Sequence, residues 1–144
     1  MRNSFSGSQM QEQKLKKLKV QSPDDRLLDK VMKVINDNLG NPDLNVEMIA
    51  TEVGISRVHL HRKLKELTNQ STRDLIRNVR LKQAASLLAN QYHNITEVAT
   101  LTGFTNIAYF STAFKELYGV PPTSYMEEQQ KSSFSDGDKI EQQN

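Results

Sequence analysis

The 144-residue chain carries 19 Lys and Arg against 17 Asp and Glu, enough residues for one ordinary domain but too little net charge to announce a nucleic-acid partner by itself. It contains no cysteine, which excludes disulfides, thiol nucleophiles and cysteine-held zinc or iron–sulfur centres. No apolar run approaches the roughly 18 residues of a membrane helix, and the polar stretch Met1 to Gln13 lacks the apolar core of a signal peptide, so a cytoplasmic protein without membrane contact by this segment is expected.

Residues 1–21, rich in Ser, Gln and Lys, read as a flexible linker, and residues 131–144 as a disordered tail. Lys14, Lys16, Lys17 and Lys19 could touch phosphates, but a tether from an upstream domain explains them as well. Between these ends the punctuation is helical. Ser22-Pro23 offers an N-cap with proline at the first helical position, followed by Leu27, Leu28, Val31, Val34 and Ile35 at helical spacing until Gly40 and Pro42. Asn45 can cap a short helix holding Val46, Ile49, Ala50 and Val53, closed by Gly54 in a left-handed conformation. Ser56 caps the next, which turns Leu60, Leu64 and Leu67 toward a core and leaves Arg57, His61, Arg62 and Lys65 for other faces.

Beyond Thr68-Asn69-Gln70, Ser71 caps a longer helix over about 72–89 that reads as a connector between two lobes. Asn94 with Glu97 resembles a capping box opening a short helix with Ile95, Val98, Ala99 and Leu101, which Gly103 closes. A helix over about 106–118 directs Phe110 and Phe114 inward, and Pro121-Pro122 starts a last turn or two with Tyr125 and Met126. No alternating strand pattern is present. The fold class is therefore all-α with about seven helices: lobe one over about 22–70, the linker helix, and lobe two over about 94–130.

An internal repeat carries the functional argument. Gly54-Ile55-Ser56, Leu60 and Leu64-Lys65-Glu66-Leu67 recur as Gly103-Phe104-Thr105, Phe110 and Phe114-Lys115-Glu116-Leu117, offset by 49 residues at the glycines and by 50 from Leu60 and Phe110 onward. Each copy follows a short helix, the plan of a helix-turn-helix whose second helix enters the major groove by its N-terminal residues. One such copy could be a plain helical hairpin. Two copies, with eight basic residues against two acidic ones between Arg57 and Lys82, favour DNA over that reading.

The run Gly54-Ile55-Ser56-Arg57-Val58-His59-Leu60-His61-Arg62-Lys63-Leu64-Lys65, followed by Ile76-Arg77, Arg80-Leu81, Ala84 and Leu87-Leu88, resembles the AraC/XylS regulators. Ile95, Val98-Ala99, Gly103-Phe104, Tyr109-Phe110-Ser111, Phe114-Lys115, Gly119-Val120-Pro121-Pro122 and Tyr125 are similar to that family's signature region, and the likeness spans about 24–127. The first unit and the linker-like N-terminus look most like the C-terminal output domain of hybrid two-component regulators. The resemblance implies a sequence-specific regulator of double-stranded DNA with two recognition helices, upstream sensor or kinase domains on a larger chain, and contact with RNA polymerase.

In the first recognition helix Val58, His61 and Arg62 match the family's base-contacting positions, with Arg57 beside them. Arg62 is the strongest candidate, since a guanidinium pairs with both acceptors of guanine, although a phosphate contact or surface ion pair would use the same residue. The second helix offers Ile107, Ala108, Ser111 and Thr112, flanked by Asn106 and Tyr109. Thr112 stands where the family often has arginine, so the first lobe is expected to supply most of the specificity. Lys63, Lys65, Arg73, Arg77, Arg80 and Lys115 are candidates for phosphate contact, and Arg77 and Arg80 could instead bridge the central helix to a lobe.

Catalysis fares poorly, with no phosphate-binding glycine loop or nucleophile motif. Neither metal nor cofactor is expected: His59 and His61 sit two apart on a helix, facing different ways, and His93 reads as a loop residue. A module that docks a protein instead of DNA is the remaining rival, distinguished by insensitivity to loss of Arg62.

Overall fold

Side-chain caps start six of the seven helices of this computed structural model, which describes residues 21–90 and 93–131. The expected linker and tail fall almost entirely outside the described residues. Helix α1 is Pro23–Asp37, α2 Val46–Val53, α3 Arg57–Thr68, α4 Thr72–Asn90, α5 Ile95–Leu101 and α6 Ile107–Tyr118, and residues 122–131 form α7. No strand occurs among the described residues.

Ser22 and Asp25 form a full capping box at α1, because each side chain accepts the other residue's otherwise unpaired amide. Asn45, Ser56, Ser71 and Asn106 accept the amides of Met48, His59, Asp74 and Tyr109 at 2.9 to 3.1 Å. At α5 the arrangement differs from the expected box. Asn94 Oδ1 accepts the Glu97 amide, but Glu97 returns its carboxylate to Asn94 Nδ2 at 2.8 Å rather than to the backbone, since the Asn side chain carries a separate donor nitrogen beside its accepting oxygen.

Two boundaries also differ. Helix α1 stops at Asp37, before Gly40, because the Asn38 side chain takes the Val34 carbonyl at 2.8 Å and caps the end. Helix α7 runs to residue 131, longer than a turn or two, because Tyr125 and Met126 have the second core to pack against.

Two apolar cores divide the chain. Val31, Ile35, Leu44, Ile49, Ala50, Leu60 and Leu64 form the first with Leu75 and Ile76 of α4. Phe104, Phe110 and Phe114, with Val98, Ala99 and Ala113, form the second around Leu81, Ala84, Ala85 and Leu88 of α4. In the second, successive ring centroids lie 4.6 to 6.2 Å apart from Tyr109 through Phe104, Phe110 and Phe114 to Tyr118, tilted or stacked as ring quadrupoles prefer.

Candidate nucleic-acid interface

The sequence repeat is a repeat of hydrogen bonds. Gly54, with φ of 80°, ends α2 and the amide of Ile55 returns to Ala50 O at 3.1 Å. Gly103, with φ of 88°, follows α5 and the amide of Phe104 returns to Ala99 O at 2.9 Å. Both glycines hold the left-handed backbone that a Cβ penalises. The second copy's extra residue is absorbed before its helix: Ser56 caps α3 directly, whereas Thr105 is passed over and Asn106 caps α6.

One cleft of about 720 Å³ brings the two units together. The start of α3 supplies Arg57, Val58 and His61, the start of α6 supplies Asn106 and Tyr109, and α4 floors the cleft with Arg73 and Arg77 between them. Apolar side chains at the helix starts face outward instead of inward. Val58 is 75% exposed and Ile107 41% exposed, while Leu60 and Phe110, two and three residues further on, are fully buried.

The basic candidates separate into groups. Arg62 is exposed on α3, its Nη2 3.4 Å from His59 Nδ1. Arg57 pairs loosely with Glu47 at 3.5 Å, both side chains mostly exposed. Lys65, Arg73 and Lys115 are exposed, and Arg77 is half-buried beside Asp74 at 3.6 Å. Lys63 is committed within its lobe, 3.2 Å from Asp24 of α1 and 3.9 Å from Glu66.

Arg80 requires a correction. It is 6% exposed and donates to Gly103 O at 2.6 Å, Thr102 O at 3.3 Å and Asn41 O at 2.8 Å. Of the two readings of this residue, these bonds match a bridge from the central helix: carbonyls at the end of α5 and in the loop before α2 offer the partial negative charge that its buried guanidinium needs. Burial lowers its pKa from the ordinary value. Sequence reasoning could not choose between the alternatives, because the three carbonyls lie 22, 23 and 39 residues away in the chain.

On the second recognition helix Ala108 and Thr112 are exposed and Ser111 is half-buried. The Thr112 hydroxyl donates to Ala108 O at 3.0 Å, and the Asn106 carbonyl oxygen is taken by the cap, leaving its amide nitrogen for a partner. No described helix is long and apolar enough to cross a membrane, and no cluster of three or more potential metal ligands occurs among the described residues.

A helix-turn-helix domain model matches residues 49–128, more than half of the chain. A "Histidine kinase P4" of Formosa agariphila is 35% identical over 106 residues, 74% of this chain. The chain spans 8% of that protein's length. An HTH-type transcriptional regulator in the cgkA 5′ region of Pseudoalteromonas carrageenovora is 33% identical over 128 residues, which cover 89% of this chain and 70% of the relative. Among solved structures, the C-terminal domain of AraT, a response regulator from Geobacillus stearothermophilus, superposes with a TM-score of 0.66 at 32% identity, over 74% of this chain and 86% of that one.

Proposed function

Because the chain belongs to the AraC/XylS family of helix-turn-helix DNA-binding transcription regulators, we propose that it reads two major-groove segments on one face of a duplex, through the N-terminal turns of α3 and α6. The observation that carries this reading is the shared cleft, which both helix starts line with α4 between them. The 19 residues of α4 span about 28 Å, comparable with the roughly 34 Å between successive major grooves on one face. A monomer then needs no palindrome.

Arg62 carries base discrimination in the first lobe, supported by Arg57, Val58 and His61. In the second lobe Ile107 and Ala108 offer apolar contact to thymine methyls, with Asn106, Ser111 and Thr112 beside them. The Thr112 hydroxyl is already engaged by its own helix, which favours the first lobe as the main source of specificity. Lys65, Arg73, Arg77 and Lys115 supply phosphate contacts on the flanks. The kinase relative suggests an output segment of a longer cytoplasmic regulator with an upstream sensor, one that contacts RNA polymerase once on DNA.

Anisotropy titrations of fluorescent random and selected duplexes at several salt concentrations test this. Steeply salt-dependent binding, with sequence preference lost in Arg62→Ala and kept in Thr112→Ala, is the expected result. Absence of duplex binding at low salt would replace DNA by a protein partner.

A further inference from the structure

The central helix belongs to both lobes, and the changeover falls at one residue. Leu75, Ile76 and Val79 pack into the first core, Leu81, Ala84, Ala85 and Leu88 into the second, and Arg80 stands between them. Its Nη1 holds the turn that leads into α6, through Gly103 and Thr102, and its Nη2 holds the loop that leads into α2, through Asn41. Backbones of the two lobes meet around this guanidinium. A Cβ on Gly40 would stand 3.4 Å from Leu101 O, and one on Gly103 would collide with Leu39 O and with Arg80 itself.

Helix α4 joins the two lobes by packing one half into each core. Apolar packing against its two halves is non-directional and leaves each lobe some freedom to rock about the helix. Hydrogen bonds are directional, and a planar guanidinium donating on two sides constrains rotation in a way a single ammonium does not. Only Phe104 and Thr105 separate the Gly103 carbonyl from the cap of α6 at Asn106, so a displaced turn moves that recognition helix.

We infer that Arg80 is a positioning residue: it fixes the angle between the two helix-turn-helix units and so sets the spacing and rotational phase that the two DNA segments must have. This rests on the reading that α3 and α6 engage one duplex. Arg80 touches no DNA and acts through the carbonyls it holds.

The test takes a duplex selected by the full chain from a random pool and inserts one to five base pairs between its two footprinted segments. Wild type is expected to lose about tenfold or more in affinity at the first insertion, which shifts one segment by about 3.4 Å and turns it by about 35°. Arg80→Gln and Arg80→Lys are expected to bind the parent site more weakly but to lose under about threefold per insertion, since a loosened linkage tolerates mismatched geometry. Helical circular dichroism identifies which variants are folded. A folded variant whose spacing profile matches wild type overturns the role of Arg80, whereas wild type binding no duplex, or binding without regard to spacing, overturns the two-segment reading beneath it.

Discussion

On the outer face of α3, Arg62 lies beside His59 at 3.4 Å, with no carboxylate partner among the described residues. Its guanidinium therefore does not have to break an ion pair before meeting DNA, unlike Arg57, which has Glu47 beside it. Arg62→Ala should lower affinity for the preferred duplex by about 1–3 kcal/mol and leave random duplex nearly unchanged, measured as the ratio of the two dissociation constants. An equal loss on both duplexes would make Arg62 a phosphate contact.

Phosphate contacts act differently. Lys65 and Arg73 are exposed, whereas Lys63 is held between Asp24 and Glu66. Lys65→Ala and Arg73→Ala are expected each to reduce the slope of log affinity against log salt by about 1 and to weaken all sequences alike. Lys63→Ala should leave the slope close to wild type, because its ammonium is already neutralised inside the lobe.

What was legible in the sequence was local. Ser22, Asn45, Ser56, Ser71 and Asn94 start helices through bonds to amides three residues on, and apolar spacing named Leu60, Leu64, Phe110 and Phe114, all fully buried. The seam between the lobes was not legible. In the sequence Arg80 fits a phosphate contact or a bridge to a lobe equally well, and only the fold brings Asn41, Thr102 and Gly103 to it. The shared cleft likewise requires α4 to present its two halves to different cores, a choice that helical periodicity alone leaves open.

The two turn glycines share a backbone conformation but not an environment. At Gly54 an added Cβ meets nothing within 4 Å, so Gly54→Ala is expected to cost only the left-handed strain, about 1–2 kcal/mol. At Gly103 the same atom meets the Leu39 carbonyl, a backbone atom, as well as the Arg80 guanidinium. Gly103→Ala should cost a further ~1–3 kcal/mol, and urea midpoints of the two variants, measured side by side, should fall in that order. Equal midpoints would mean that the seam yields easily.

Tyr118 stacks on Phe114 with centroids 4.6 Å apart and lies near Tyr125. Burial raises its phenol pKa above the ordinary 10.0, and the Tyr125 charge raises it further. The folded state thus keeps a proton that the unfolded chain releases first. Between the unfolded and folded values the native state binds more protons, so stability must fall as pH rises. The contribution is fully present below about pH 10 and is lost as pH climbs through the folded value. Tyr118→Phe keeps the ring against Phe114 and removes the titrating group. Thermal midpoints recorded from about pH 9 to 11 should therefore decline less steeply in Tyr118→Phe than in wild type, with the two curves parallel below pH ~9. Every other ionisable side chain is common to both proteins, so the difference between the curves isolates Tyr118. Parallel curves throughout would show that its hydroxyl is as well solvated folded as unfolded.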